Sequence, residues 1–186
     1  YMRSKMESIR KRLSMDLKDY IESIPGFPKE GIIFRDVTPI LQNPDVFAYV
    51  TDEFTKFVEE IGADVIVGPE ARGFLFATPL ALRTHKSFVP IRKPGKLPRE
   101  TIEQEYGLEY GTDKLCIHTD AIQPGQKVVI IDDLLATGGT TEAIVQLIQR
   151  LGGEVAGCGF IIELDDLHGR DNIPYPVFSI THFEGE

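Results

Sequence analysis

The sequence predicts an α/β fold, with a mainly parallel central sheet flanked by helices. Strand-length apolar runs alternate with helically spaced segments along most of the chain. The run 128–131 (VVII) is apolar and β-branched throughout, the pattern of a strand buried on both faces. That run leads into an acidic turn, Asp132 and Asp133, and a short Gly-containing loop that feeds the N-terminus of a further helical segment. At 186 residues the chain suits one domain with a sizeable core and is short for two. Its composition, 42% hydrophobic and 26% charged with a mean hydropathy of -0.10, is that of an ordinary soluble globular protein.

Leu17, Tyr20, Ile21 and Ile24 fall on one helical face behind Asp16, which can cap the first turn, so a short amphipathic helix is expected up to Pro25 and Gly26. Segment 27–41 (FPKEGIIFRDVTPIL) is irregular and reads equally as a surface loop with one ion pair or as a ligand-contacting loop. Asn43, Pro44 and Asp45 form a helix-start signal, and Phe47, Val50, Phe54, Phe57, Val58 and Ile61 then repeat on one face as a core helix would. Residues 64–68 (DVIVG) make a short buried strand. Residues 69–73 (PEARG) turn tightly into an apolar run, and Arg72 at that turn is either an anion contact or half of a salt bridge. A strand over 87–91 empties into RKPGKLPRE, where Arg92, Lys93, Lys96 and Arg99 gather positive charge in an acidic protein. Such runs are usually solvated, but ligands of open α/β sheets collect at strand C-termini. Residues 96–111 are polar and punctuated by glycine, and read as a long mobile excursion of the kind that serves as a lid. KLCIH at 114–118 returns as a strand. Beyond the central stretch lie an amphipathic helix through Leu151, stopped by Gly152 and Gly153, a long strand over 155–164 and a short one over 177–180.

A net charge of -9 and a pI near 5.0 argue against a broad nucleic-acid-binding face. No apolar run approaches the roughly 18 residues of a membrane span, and the basic N-terminus lacks the apolar core of a signal peptide. Tyr1 precedes Met2, so residues 1–14 read as a disordered leader or an appended remnant, with Met15 an alternative start and 15–186 a single domain. Cys116 and Cys158 fit two buried thiols in a reducing cytoplasm, a disulfide or redox pair being the alternative. The four histidines form no cluster in the sequence and receive no role.

The central stretch 128–141 (VVIIDDLLATGGTT) carries the chemistry. The first amides of a helix lack intrahelical partners and sit at the positive end of its dipole, so residues 136–141 can wrap a phosphate. Gly138 and Gly139 permit close approach, and Thr137, Thr140 and Thr141 add hydroxyl donors. No G-x-x-x-x-G-K-[ST] loop or G-x-G-x-x-G fingerprint occurs, so neither a P-loop nucleotide site nor a dinucleotide site is present. Asp132 and Asp133 beside a phosphate can accept hydrogen bonds from sugar hydroxyls, which implies a ribose 5-phosphate moiety as ligand.

This stretch resembles the phosphoribosyl diphosphate (PRPP) signature of the type I phosphoribosyltransferases. FPKEGIIFRDVTPIL, GPEARGF, RKPGKLP, LEYGTD and DDLLATGGT, in this order and spacing, are similar to the adenine phosphoribosyltransferases of purine salvage, from about residue 15 onward. The resemblance implies the type I phosphoribosyltransferase fold, with a flexible hood loop and an N-terminal helix and loop region near the base site. It implies transfer of the 5-phosphoribosyl group of PRPP to adenine, giving AMP and diphosphate. Ala136, Thr137, Gly138, Gly139 and Thr140 would bind the 5-phosphate, Asp132 and Asp133 the ribose hydroxyls, and Arg72, Arg92, Lys93 and Lys96 the diphosphate. Glu109 would be the acid/base residue, assisted in catalysis by Arg72 and Lys93, with Tyr110 closing the hood. Ile33, Phe34, Arg35 and Leu134 would contact adenine, and a non-proline cis peptide is implied at Glu70-Ala71. Magnesium would arrive with PRPP and need no dedicated protein ligands. A homodimer without nucleic-acid or membrane partners is implied. The alternatives are xanthine or hypoxanthine-guanine specificity, disfavoured by GIIFRDVTPIL and LEYGTD together, and a non-catalytic PRPP-binding transcriptional regulator, for which the length and acidic charge leave no obvious room.

Overall fold

A computed structural model describes residues 4, 5, 7, 15–108 and 111–185. Most of the expected leader over 1–14, together with Glu109 and Tyr110, lies outside the described residues. Asp16 caps the first element as expected, accepting from the Lys18 amide at 3.0 Å, but that element is a single 3-10 turn, Leu17–Tyr20. The helix expected up to Ile24 gives way to β1 (Glu22–Pro25), which pairs antiparallel with β2 (Ile33–Asp36). Two helical turns are marginal alone. Leu17 and Ile21 already reach the core from the 3-10 turn, whereas Ile24 is 37% exposed and gains more from strand pairing.

Two helices follow, α1 (Thr38–Gln42) and α2 (Pro44–Glu60). Asn43 caps α2 by accepting from the Asp45 and Val46 amides, and its Pro44 occupies the first turn, where no N–H is needed. The chain then runs through β3 (Val65–Pro69), α3 (Arg72–Thr84), β4 (Ser87–Ile91), β5 (Thr101–Gly107), β6 (Thr112–His118), β7 (Lys127–Leu135), α4 (Gly139–Arg150), β8 (Glu154–Leu164) and β9 (Val177–Phe183).

The central sheet has five parallel strands in the order β4-β3-β7-β8-β9. Alternate residues of β7 serve opposite cores: Val129 and Ile131 join Phe54, Phe76 and Leu80 on the α2 and α3 side, and Val128 and Ile130 join Ile144, Leu147 and Ile148 on the α4 side. Burial on both faces is why the run is unbroken by polar residues. Gly157 and Gly159 on β8 leave room for two aromatics of α2. A Cβ on Gly157 would come 2.9 Å from Phe57 Cζ, and one on Gly159 would come 3.3 Å from Phe54 Cδ1 and 2.9 Å from Ile131 Cδ1. Chain direction across the sheet diverges between β3 and β7, since β3 connects outward to β4 while β7 begins the run to β9. Such a switch point opens a crevice at the strand C-termini.

Two further expectations are corrected. Asp132 and Asp133 do not form a turn, because β7 continues to Leu135, with Asp132 beside Phe160 and Leu134 beside Ile162 of β8. Nor is the 101–107 part of the expected excursion outside regular structure: β5 and β6 form an antiparallel ribbon from Thr101↔His118 to Gly107↔Thr112. Ile102, Leu115 and Ile117 of that ribbon join the core beside α4, and Arg150 of α4 donates to the Glu103 carbonyl at 2.5 Å. Both cysteines are buried free thiols, and burial pushes the Cys158 thiol up to about 12. Among the described residues no helix is long and apolar enough to cross a membrane.

The tight seat of Gly159 yields a stability prediction. Gly159→Ala should destabilise the fold by about 1–3 kcal/mol through overpacking, read from the midpoint of chemical denaturation; an unchanged midpoint would mean that Phe54 and Ile131 give way freely.

Candidate active site

The crevice at the switch point is a cleft of about 300 Å³. It brings together Arg72 at the start of α3, Lys93 after β4, Asp132, Asp133 and Leu134 at the end of β7, and the whole loop from Ala136 to Thr140. Gly138 has φ +92° and precedes α4 without a side-chain cap of its own, so the first amides of α4 open towards an anion. Positive φ is a conformation glycine adopts at little cost. Thr141, behind the loop, is buried and also lines the cleft.

The electrostatics turn on one arginine and two carboxylates. Arg72 Nε donates to Asp133 Oδ2 at 2.5 Å, and Asp133 is almost fully buried. Asp132 Oδ1 accepts the Asp133 amide at 2.8 Å. Burial first, and the neighbouring Asp133 carboxylate second, push the Asp132 carboxyl well above the usual carboxylate range, with Arg72 only partly offsetting them. The Arg72 guanidinium also lies 5.0 Å over the Phe34 ring. The Glu70-Ala71 peptide is cis, as the resemblance implies. Gly73 sits where no other residue fits easily, since a Cβ there would come 2.9 Å from Pro69 Cδ and 3.3 Å from Asp132 Oδ1.

Lys93 is tied to the β5–β6 ribbon. Its Nζ donates to Asp113 and, at 3.0 Å, to the Tyr106 hydroxyl. Burial would lower the Lys93 ammonium, but those two partners hold it above its ordinary value. The Glu70 carboxylate accepts the Lys93 amide at 2.8 Å and Arg92 Nε at 3.2 Å. The Lys93 amide holds Glu70 below the usual range, against burial and with help from Arg92. Arg92 thus faces Glu70 rather than lining the cleft, and Lys96 is exposed beyond it.

Of the expected base contacts, Leu134 lines the cleft and Phe34 adjoins it through Arg72. Ile33 is partly exposed on β2. Arg35 points elsewhere: its guanidinium donates to Ser23 and lies 4.4 Å over the Phe183 ring. Glu109 and Tyr110 fall outside the described residues. Glu70, Tyr106 and Asp113 were missed as site residues. The available signal was their membership of GPEARGF and of the chain around LEYGTD, not any charge cluster. For a metal, the carboxylates lining the cleft among the described residues are Asp132, Asp133 and Glu70, the last already engaged by the Lys93 amide and Arg92. Among the described residues the one group of three metal-capable side chains, Glu163, Asp165 and His182, does not line it. This donor set fits a cation carried in on ligand oxygens better than one caged by protein.

Comparison with known proteins agrees with this geometry. The phosphoribosyl transferase domain model matches residues 36–185. The adenine phosphoribosyltransferase of Pseudothermotoga lettingae is 57% identical over 159 residues, 86% of this chain and 94% of that protein. The crystal structure of the adenine phosphoribosyltransferase of Thermoanaerobacter pseudethanolicus superposes with a TM-score of 0.87 at 51% identity, covering 90% of this chain and 98% of that one. The Saccharomyces cerevisiae enzyme, complexed with D-2,5-dideoxy-2,5-imino-altritol 1,6-bisphosphate and adenine, gives a TM-score of 0.85 at 43% identity, covering 89% and 96%. With its phosphate loop, paired aspartates and arginine turn all seated at the switch point, this chain belongs to the adenine phosphoribosyltransferase family.

Proposed function

We propose that the chain transfers the 5-phosphoribosyl group of PRPP to adenine, releasing AMP and diphosphate. The carrying observation is the joint placement of Ala136–Thr140 amides, the Asp132 and Asp133 carboxylates and the Arg72 cation around one cleft. The yeast relative's complex with a bisphosphate and adenine supports a ligand with two phosphate positions together with a purine.

In this reading the loop holds the 5-phosphate, and Asp132 and Asp133 accept the ribose hydroxyls. Arg72 and Lys93 exchange their present partners, Asp133 and Asp113, for the diphosphate, with Arg92 and Lys96 adding to the field. An imidazole nitrogen of adenine bonds to the anomeric carbon as the bond to diphosphate breaks, with inversion. The sugar becomes cationic while the leaving group gains negative charge, so pre-placed cations and carboxylates stabilise both ends. Glu109 takes the proton from the imidazole edge, and Tyr110 helps to exclude water. Phe34 and Leu134 sandwich the base, with the Ile33 backbone and Arg35 reading its edge, which requires Arg35 to leave Ser23. Asp132 and Asp133 would face magnesium brought in with PRPP, which when bound would supply further charge neutralisation. Two buried thiols suit a reducing cytoplasm. Leu75 and Leu82, seven residues apart on α3 and both exposed, support a homodimer. Sedimentation at micromolar concentration should then give twice the chain mass, and a monomer would remove that part of the reading.

The reading is tested by incubating the protein with PRPP, magnesium and single purines. Adenine should be consumed and AMP appear; preferential use of hypoxanthine or xanthine would overturn the assignment. In the same assay Glu109→Ala should reduce kcat by about 10²-fold or more with little change in PRPP affinity, and full activity would exclude Glu109 from the mechanism.

The raised Asp132 carboxyl carries a stability consequence. Its folded-state value exceeds its unfolded one, so its contribution is fully present below the ordinary carboxylate range and is lost as pH rises through the raised value. At neutral pH, Asp132→Asn should therefore raise the Tm of the ligand-free protein, by about 2–4 °C per kcal/mol relieved, while weakening PRPP binding. Calorimetry across pH checks both; a variant no more stable than the parent at pH 7 would contradict the charge strain.

A further inference from the structure

The phosphate loop leans on a second piece of backbone. The 3-10 turn Gly169–Asn172, between β8 and β9, lies directly behind it. A Cβ on Gly169 would fall 2.2 Å from the Ala136 carbonyl oxygen, and one on Gly138 would fall 3.0 Å from the Gly169 carbonyl oxygen. The two strips of main chain are therefore in contact through glycines on both sides. Asn172 Nδ2 adds a hydrogen bond to the Thr137 carbonyl at 3.1 Å.

The turn is itself anchored. Arg170 grips Glu163 with two nitrogens, Nε to Oε2 at 3.1 Å and a terminal nitrogen to Oε1 at 2.7 Å, and its other terminal nitrogen reaches the Val177 carbonyl at 3.2 Å. Glu163 is only 6% exposed, accepts Ser179 Oγ at 2.7 Å, and is the register partner of Leu135, the last residue of β7 before the loop. A paired guanidinium and carboxylate of this geometry fixes orientation as well as distance. A continuous path thus runs from β8 through Arg170 to Gly169 and Asn172, and from there to Ala136, Thr137 and Gly138.

We propose that the Gly169–Asn172 turn, locked by the Arg170–Glu163 pair, is the positioning element that sets the shape of the phosphate loop and hence its affinity for the sugar phosphate. The proposal rests on the phosphoribosyl-transfer reading and adds positioning residues to it; none of these side chains touches the reacting atoms. Amide cradles act through alignment, so a displacement of a few tenths of an ångström at Thr137 or Gly138 weakens several hydrogen bonds at once.

The test measures ribose 5-phosphate binding by calorimetry and steady-state kinetics with PRPP and adenine. Binding of ribose 5-phosphate by the parent protein is the control: its absence would sink the phosphate-loop reading itself, whatever the variants do. With that control in hand, Asn172→Leu, Arg170→Lys and Gly169→Ala should each raise the Kd for ribose 5-phosphate and the KM for PRPP by about tenfold or more. The KM for adenine and kcat at saturating PRPP should move far less. Asn172 is exposed, so its variant decides the matter if Gly169→Ala does not fold. An unchanged Kd in folded Asn172→Leu and Arg170→Lys overturns the proposal, as does a fall in kcat or thermal stability with KM for PRPP unaltered.

Discussion

The acid pair at the end of β7 is short of one positive charge. Arg72 compensates Asp133, while burial and the neighbouring Asp133 carboxylate hold the Asp132 carboxyl well above the usual carboxylate range. Much of the site follows from this shortage. In the phosphoribosyl-transfer reading, a sugar that presents hydroxyl donors and arrives with cations would relieve the group that the protein leaves uncompensated. The central sheet holds the two carboxylates next to each other, because Asp132 and Asp133 lie on a strand registered against β8 and cannot turn away. The protein accepts this cost where a ligand later repays it.

The cations are held in a similar state of readiness. Lys93 rests on Asp113 and Tyr106, Arg92 on Glu70, and Arg72 on Asp133 and the Phe34 ring. Each is therefore held at an approximate position in a protein whose overall charge is negative. In the proposed reaction these cations would exchange their anionic partners for a multiply charged leaving group, without long flexible side chains first having to be ordered.

What the sequence made legible was whatever a short stretch encodes by itself. The parallel strands showed as apolar runs, because burial on both faces admits few polar residues, and the phosphate loop showed because glycines and threonines replace bulk where an anion must come close. The Asn43 cap was readable for the same local reason. The β5 strand was hidden: TIEQEYG has polar residues at most positions, and only pairing with KLCIH makes it a ribbon. Glu70, Tyr106 and Asp113 were hidden as site residues because their significance lies in contacts between segments far apart in the chain. Arg35 was placed at the base by resemblance, but its side chain is held by Ser23 and Phe183, neighbours that no local pattern announces.

The way the β5–β6 ribbon lies along α4 bears on how the cleft is reached. Arg150, at the C-terminal end of α4, holds the Glu103 carbonyl, while the Gly107 carbonyl stands above the other end, 3.8 Å from where a Gly139 Cβ would be. The ribbon is thus held against α4 by a hydrogen bond at one end and backbone proximity at the other, so that movement of its strands is felt by the helix whose N-terminus lines the cleft. Tyr106 and Leu115 of the ribbon line the cleft on this side, and Glu70, Ala71 and Arg72 line it from the turn before α3. In the phosphoribosyl-transfer reading, the phosphorylated end of the sugar therefore lies at the N-terminus of α4, beside the β5–β6 ribbon.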